Sequence, residues 1–294
     1  MRKNKLAMSG RHDLTGWAFL SVASLMIVWM NFYPMIKAFH LAMQTGTGAR
    51  MRYAGLINFQ RILVDPTFKE TLGTTFLYLI IQVPIMLIFA LILASMLNSP
   101  TLKCKGLFRT AIFLPCATSL VSYAVIFRQL FALDGYINVV LVRLGMLEAG
   151  YQWLSYTWSA RLVIIIALLW RWTGYNMVFY LAGLQNIENS IYEAARIDGA
   201  NALQQLTKIT IPLLKPIILL TAIMSTNGTL QLFDESFNLT NGGPANSTMT
   251  MSHYIYRTSF QLSSDLGYST AMAFVIFVLV AVLALIQMKV GDKR

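Results

Sequence analysis

The stretch Ser190-Ile-Tyr-Glu193-Ala-Ala-Arg-Ile-Asp198-Gly199-Ala200 is a polar segment between two long apolar runs. Ser190 followed three residues later by Glu193 is typical of a capping box, in which the two side chains satisfy free backbone N–H groups and begin a helix. Gly199 readily adopts the positive φ that commonly ends a helix, so Asp198-Gly199 marks the predicted last turn. The stretch therefore predicts one short helix.

This predicted helix has a face of small residues and is followed closely by another helix start. Ala194 and Ala195 leave one side nearly bare, so another surface can approach the backbone closely. Thr210-Ile-Pro212 predicts that the next helix begins near Pro212, because proline is tolerated in a first turn, where its missing N–H is not needed. A short helix of this kind, held between two apolar segments, is typical of a docking element.

The composition is that of a membrane protein. Apolar residues make up 56% of the chain and charged residues 12%, whereas soluble domains carry about 25% charged residues. Six apolar runs approach the ~20 residues that cross a bilayer, which predicts an all-α polytopic membrane protein with six transmembrane helices. The predicted spans are 15–35, 73–97, 110–131, 159–184, 212–233 and 268–288.

The distribution of positive charge predicts the orientation of these spans. Thirteen Lys and Arg residues fall in the segments that are cytoplasmic if the N-terminus is inside, against seven in the opposite segments. Cytoplasmic loops carry the excess of Lys and Arg, so both termini and the Glu193 loop are expected in the cytoplasm. The predicted domains are a cytoplasmic segment 1–14, a membrane domain 15–288 with a cytoplasmic loop 186–215, and a cytoplasmic tail 289–294.

The remaining residue types exclude several classes of site. The net charge of +11 is spread over loops rather than one face, so no nucleic-acid partner is expected. Cys104 and Cys116 offer neither a disulfide framework nor a metal-ligand pattern, and the three histidines, including His253, are interpreted as surface residues. No metal site, cofactor or catalytic residue is predicted.

Glu193-Ala-Ala-Arg-Ile-Asp198-Gly199-Ala200, followed by Ile209-Thr-Ile-Pro212-Leu-Leu-Lys-Pro216, resembles the EAA loop of permease subunits in ATP-binding-cassette (ABC) importers. The resemblance is to the branch that contains the maltose, glycerol-3-phosphate and lactose-type sugar permeases. Further similar segments are Gly55-Leu-Ile-Asn-Phe59, Gln231-Leu-Phe-Asp234, Thr240-Asn-Gly-Gly-Pro244 and Gly267-Tyr-Ser-Thr-Ala-Met272. The chain differs from the family at Glu188-Asn189, where the family often has proline.

The resemblance implies a fold, a location and a set of partners. It implies the type I importer permease fold in a bacterial inner membrane, with the loop acting as a coupling helix on a separate ATPase. The residues implied in that contact are Glu193, Ala194, Ala195, Asp198, Gly199 and Ala200. The implied partners are an ABC ATPase dimer, a second homologous permease and an extracytoplasmic solute-binding protein, with a carbohydrate as substrate.

Polar residues inside spans four and five suggest where a substrate passes. Such groups usually face a bundle interior or a wet cavity, and aromatic rings beside amides suit a sugar, since rings pack on CH faces while fixed polar groups bind hydroxyls. The predicted pathway residues are Arg171, Tyr175, Asn176, Asn227, Gln231 and Asp234.

These residues also have a structural interpretation. Ser, Thr and Gly are common at helix contacts in membranes, and Arg171 could pair with Asp234, Glu235 or a backbone carbonyl. An uncharged carbohydrate does not need Arg171, so a substrate with a phosphate or carboxylate group stays open.

Two other classes of function compete with the importer. An ion-driven secondary transporter tends to carry buried acidic or histidine relays and internal repeats, and the predicted spans hold almost no acids. A membrane enzyme needs grouped His, Cys or acidic residues, which the sequence does not bring together. The sequence also has no Gly-x-x-x-x-Gly-Lys-Ser/Thr phosphate loop, so ATP hydrolysis is expected on a partner subunit.

Overall fold

The computed structural model describes residues 16–99, 102–262 and 264–291. Most of these residues are helical and only four lie in strands, which confirms the predicted all-α class. The α-helices, numbered in chain order, are α1 (Gly16–Ala42), α2 (Ile57–Val64), α3 (Pro66–Asn98), α4 (Lys105–Ala117), α5 (Leu120–Leu130), α6 (Tyr136–Arg143), α7 (Thr157–Leu184), α8 (Asn189–Ile197), α9 (Ala202–Leu230), α10 (Asp234–Thr240), α11 (Met251–Tyr256) and α12 (Leu266–Gly291).

Shorter elements complete the described structure. Helices α1 and α9 contain π-helical turns at Val28–Phe32 and Leu206–Thr210, a third π turn spans Arg257–Gln261, and a 3₁₀ turn spans Gly48–Arg50. The two-residue strands β1 (Gln44–Thr45) and β2 (Arg52–Tyr53) pair antiparallel, with Gln44 opposite Tyr53. The predicted segment 1–14, the first residue of predicted span one, and residues 292–294 of the predicted tail lie outside the described residues.

The chain divides into two compact units. The first contains the described residues 16–62 and 258–274, and the second contains residues 63–257 and 275–291, apart from those not described. Helix α12 begins in the first unit and ends in the second.

Polar contacts hold the loop region of the first unit together. Asn58 is buried, and its amide donates to the carbonyl oxygens of Ala42 at 2.8 Å and Gln44 at 2.7 Å. The Arg61 guanidinium lies 2.6 Å from the Asp265 carboxylate. An ion pair that is half-exposed contributes little by itself, so the buried Asn58 is the stronger constraint on the chain after α1.

Two apolar clusters hold the second unit together. The small residues Ala90 and Ala94 of α3 belong to the same buried cluster as Met177 of α7. Tyr180 in α7 shares a 2.8 Å hydrogen bond with Thr221 in α9. One cluster includes Tyr78, Tyr123, Phe127, Val163, Ile164 and Leu168. The other includes Ala90, Ala94, Met177, Leu181, Leu184 and Leu214. Helices α3, α7 and α9 therefore form the frame of this unit.

Three predicted spans, 73–97, 159–184 and 268–288, fall wholly inside helices that are longer than predicted. Among the described residues, five helices are long and apolar enough to cross a membrane: α1, α3, α7, α9 and α12. Helix α3 begins seven residues early because the Asp65 side chain accepts hydrogen bonds from the N–H groups of Thr67 and Phe68, and Pro66 occupies the first turn. This N-cap and proline arrangement favours a helix start.

The third predicted span, 110–131, falls on a pair of helices that together are long and apolar enough for a sixth span but are broken in the middle. Helices α4 and α5 meet at an angle of 98° across Thr118 and Ser119, both extended. Pro115 lies in the last turn of α4, where its missing N–H and its ring weaken the bonding to the turn before it. The Thr118 hydroxyl donates to the Pro115 carbonyl at 2.7 Å and closes the helix end.

The predicted start of the fifth span at Pro212 is wrong, because the helix begins ten residues earlier. Asn201 and Gln204 form a capping box before Ala202. The π turn Leu206–Thr210 precedes Pro212, and the Ile211 N–H bonds to the Leu206 carbonyl five residues back. The wider turn lets the helix run through a residue that lacks an N–H, so Pro212 does not mark its beginning.

We expect Gly174→Ala in α7 to destabilise the protein by about 1–3 kcal/mol, the usual cost of overpacking. A Cβ at this position would overlap the backbone carbonyl of Ile112 in α4, which cannot turn away as a side chain can. The matched control is Gly73→Ala in α3, where a Cβ meets no atom within 4 Å. Thermal denaturation of the detergent-solubilised protein measures both, and an equal Tm for the two variants would contradict the close contact.

Candidate functional site

A cavity of about 300 Å³ lies within the second unit, between α3, α7, α9 and the start of α10. Apolar and aromatic side chains make up much of its wall: Met86, Leu168, Trp172, Tyr175, Met224 and Phe233. Gly228 adds bare backbone, and a Cβ there would meet no atom within 4 Å. A mostly apolar cleft with a few fixed polar groups is the usual form of a small-molecule site.

The structure brings four of the six predicted pathway residues to this cavity: Tyr175, Asn176, Gln231 and Asp234. Asn227 is not part of the wall, and its side-chain oxygen accepts a hydrogen bond from the Gln231 amide one turn later. Arg171 is not part of the wall either. Contact of any of these residues with a substrate remains a prediction.

A chain of polar side chains crosses the cavity wall from α9 through α7 to α3. The Ser225 hydroxyl donates to the side-chain oxygen Oδ1 of Asn176 at 3.4 Å, and the Thr229 hydroxyl donates to the side-chain oxygen Oε1 of Gln82 at 3.2 Å. The Gln82 and Asn176 amides both point at the Met86 sulfur, at 3.1 and 3.6 Å. The sequence analysis missed Gln82, although an amide inside a predicted span is itself a signal of a polar interior.

Arg171 holds the end of α4 rather than facing the cavity. Its guanidinium is buried and donates to the carbonyls of Pro115 and Cys116 and to the Thr118 hydroxyl, each at 3.4 Å. It also lies over the Tyr123 ring, 4.8 Å from the ring centre. Of the partners considered for this residue, the backbone carbonyls are the ones that the structure supports.

Two carboxyl groups, Asp234 and Glu235, stand side by side in the first turn of α10 and line the cavity. Acidic residues are favourable there because the N-terminus of a helix carries partial positive charge. Glu235 is only 3% exposed, and this burial raises the pKa of its carboxyl, although the Tyr123 hydroxyl and the Arg171 guanidinium act in the opposite direction. The sequence analysis considered Glu235 only as a partner of Arg171.

The interpretation of His253 as a surface residue is wrong. Its side chain is fully buried, and Nδ1 lies 2.8 Å from the Ser236 hydroxyl. The Phe233 and Phe237 rings stand edge-on to the imidazole. Burial, with a smaller effect of Arg257, lowers the pKa of His253 from 6.5 to about 4. His253 lies in the six-residue helix α11, which is too short to show a hydrophobic period, so the sequence does not indicate this burial.

The predicted docking helix exists as α8, but it starts differently from the prediction. Glu188 is the N-cap residue and Ser190 lies inside the first turn, where its hydroxyl donates to the Glu188 carboxylate at 3.2 Å. Because Ser190 is already helical, it cannot form the predicted capping box with Glu193. The predicted end is confirmed, since Asp198 is the C-cap residue and Gly199 follows with φ +79°.

Most side chains of helix α8 are exposed. None of its residues is buried, and the Ile197 side chain is 87% exposed. Among the predicted coupling residues, Ala195 and Ala200 are partly buried, and the others are exposed: Glu193, Ala194, Asp198 and Gly199. A hydrogen bond of 2.9 Å between the Tyr192 and Thr210 hydroxyls joins α8 to α9.

Long apolar helices, an internal cavity and an exposed amphipathic helix together define a membrane transport subunit. The chain belongs to the family of binding-protein-dependent transport system inner membrane components, whose profile matches residues 66–294. Membership confirms the predicted permease class and its place in the inner membrane. The relatives do not favour the ion-driven alternative.

Two relatives and one solved structure illustrate the likeness. The lactose transport system permease protein LacF of Rhizobium radiobacter is 47% identical over 96% of each chain. The arabinooligosaccharides transport system permease protein AraP of Halalkalibacterium halodurans is 33% identical over 92% of this chain and 86% of its own. A chain of a bacterial ABC transporter involved in importing the acidic polysaccharide alginate has a TM-score of 0.84 at 22% identity, covering 98% of this chain and 99% of that one, and confirms the fold.

We expect Arg171→Lys to destabilise the protein by about 1–3 kcal/mol, the cost of leaving buried polar groups without partners. Lysine keeps the charge but loses the planar fork that reaches three acceptors and lies over Tyr123. Arg128→Lys, at an exposed position of α5, is the matched control. Thermal denaturation compares the two, and an unchanged Tm in Arg171→Lys would show that the fork is dispensable.

We expect the stability of the wild-type protein to fall as the pH drops from about 6.5 towards 4. His253 stays neutral in the folded protein down to about pH 4, whereas the unfolded chain takes up a proton near pH 6.5. Tm measured across this range in wild type and His253→Gln isolates the effect of this side chain. The variant should have the shallower slope, and parallel slopes would refute the assignment.

Proposed function

We propose that this chain is the permease subunit of an ABC importer for a sugar or oligosaccharide and that it forms half of the translocation pathway. The observation that carries the proposal is the exposed helix α8 between α7 and α9, two helices that also line the cavity. We further propose that ATP is hydrolysed by a separate ATPase dimer, and that a second homologous permease and an extracytoplasmic solute-binding protein complete the importer.

Helix α8 has the chemistry of a docking surface for the ATPase. Its exposed apolar side chain Ile197, and Leu203 in the first turn of α9 at 67% exposure, favour burial by a partner protein. Glu193 adds an exposed charge, and the small side chains of Ala194 and Ala195 permit close approach. The excess of Lys and Arg supports a cytoplasmic position for this loop and for both termini, where ATP is available.

The helices beside α8 provide a physical route from the docking site to the cavity. Gly183 near the end of α7 packs against the side chains of Leu214 and Ile217 in α9. About one helical turn closer to the cavity, the Tyr180 hydroxyl forms a hydrogen bond with the Thr221 hydroxyl. A force on α8 therefore acts on two packed helices whose next turns carry Asn176 and Ser225 of the cavity wall. ATP-driven movement of α8 would reshape the wall without changing the substrate chemically.

The wall of the cavity supports a carbohydrate as the substrate. Tyr175 and Trp172 offer rings for the CH faces of a sugar, while Gln82, Asn176 and Gln231 offer amides for its hydroxyls. The named substrates of the relatives, lactose and arabino-oligosaccharides, belong to this chemical class. A volume of about 300 Å³ is at the small end for ligand sites, consistent with half of a pathway.

We expect Glu193→Lys to lower transport-stimulated ATPase activity about tenfold or more, equivalent to ~1.4 kcal/mol of lost coupling. The substitution reverses an exposed charge on the proposed contact surface and leaves the fold of α8 intact. The measurement is ATP hydrolysis by the complete assembly in proteoliposomes, with and without the solute-binding protein, together with retention of the ATPase on purification.

Glu148→Lys is the matched control, because Glu148 is also exposed but lies in the loop before α7. Both variants should keep the Tm of the wild type. If Glu193→Lys keeps both the ATPase and its stimulation, α8 is an ordinary exposed helix and the coupling proposal fails.

A further inference from the structure

The cavity wall carries acidic groups and no basic ones. Its charged residues are Asp234 and Glu235, and none of the described residues that line it is Lys, Arg or His. Arg171, whose charge acts on Glu235 from outside the wall, is engaged with the end of α4 and with the Tyr123 ring. A site that binds a carboxylate or sulfonate normally presents an arginine or lysine to it, and this wall presents the opposite charge.

Glu235 has a buried carboxyl oxygen, Oε1, that is left unsatisfied at the edge of the cavity. The side chain is 3% exposed and the Tyr123 hydroxyl acts on its carboxyl group, yet among the described residues no donor reaches Oε1 with hydrogen-bond geometry. A buried polar atom without a partner is costly, and this one belongs to a residue that lines the cavity. A sugar hydroxyl both donates and accepts, so it can satisfy a carboxyl group in either protonation state.

We propose that Asp234 and Glu235 make this cavity selective for uncharged, hydroxyl-bearing glycosides and exclude sugar acids, with Glu235 binding a sugar hydroxyl directly. The inference rests on the proposed import of sugars and specifies the charge of the substrate. It assigns Glu235 a binding role and Arg171 a structural one.

Exclusion follows from the position of the two groups. An acidic sugar in this cavity would place its charge beside Asp234, inside a mostly apolar wall that screens charge poorly and whose described residues supply no cation. Where Glu235 is ionised it adds to this repulsion, and where it is protonated the acid still loses its hydration without gaining a positive partner. Like charges brought together at a desolvated site cost several kcal/mol, enough to reject an acid whose neutral counterpart binds. The proposal thus combines one attractive contact for the hydroxyl with one repulsive element against the acid.

The test is direct binding to the purified transport complex without the solute-binding protein, so that the permease alone selects. Saturation-transfer NMR detects weak ligands, and the probes are two neutral and acidic pairs: lactose with lactobionate, and galactobiose with digalacturonate. In the wild type we expect each neutral sugar to bind at least about tenfold more tightly than its acid.

Two variants separate repulsion from attraction. The double variant Asp234→Asn with Glu235→Gln removes both charges, so the neutral-to-acid ratio should fall about fivefold or more. Glu235→Leu removes the hydroxyl partner, so neutral sugars should bind about tenfold more weakly. Glu148→Gln, which removes an exposed acid outside the cavity, should keep the wild-type ratio, and Tm values verify that each variant is folded.

Each other outcome overturns a specific claim. Equal binding of neutral and acidic sugars, or tighter binding of the acids, overturns the charge selectivity while leaving sugar import standing. A ratio that is unchanged in the double variant removes Asp234 and Glu235 as its cause. Absence of binding by all four probes overturns both this inference and the sugar assignment, and the ATPase result with Glu193→Lys then decides separately whether the coupling role survives.

Discussion

The structure depends on how the broken backbone between α4 and α5 is satisfied. Pro115 ends α4 inside an apolar region, and carbonyl oxygens at such an end have no water to bond. Arg171 reaches across from α7 with a guanidinium that faces the carbonyls of Pro115 and Cys116. Non-helical backbone at membrane depth is tolerated only where it is buried in protein or lines a cavity. Here the Arg171 guanidinium and the Thr118 hydroxyl together meet that requirement.

The same contact positions the cavity. Gly174 allows the backbones of α4 and α7 to approach closely just after Arg171, and this fixes the rotation of α7 about its own axis. Tyr175 and Asn176, one turn after Arg171, then line the cavity, and Asn176 accepts a hydrogen bond from Ser225 in α9. Arg171, which the sequence suggested for substrate binding, thus stabilises the contact between α4 and α7. The wall of the cavity itself carries aromatic rings, amides and two acidic residues.

The sequence predicted features that rest on local chemistry. Apolar length located the spans, because no soluble core can bury six such runs, and Asp198-Gly199 marked the end of α8, because glycine tolerates a positive φ. Proline was less informative: Pro84 lies inside the continuous helix α3, whereas Pro115 ends α4. The difference lies in neighbours far along the chain, such as Arg171. The burial of His253 and of Glu235 also depends on tertiary contacts, so no local pattern indicated it.

Gly228 is a position in the cavity wall where a larger side chain could be accommodated. It is a wall position where a methyl group would meet nothing within 4 Å, so its Cα defines the boundary of the free space. Alanine, serine or valine at this position would shorten the chamber without moving a helix, whereas the contact at Gly174 admits no such change. Related transporters could thus adapt to longer or shorter sugars by substitution at one tolerant position while the framework of α4 and α7 stays constant.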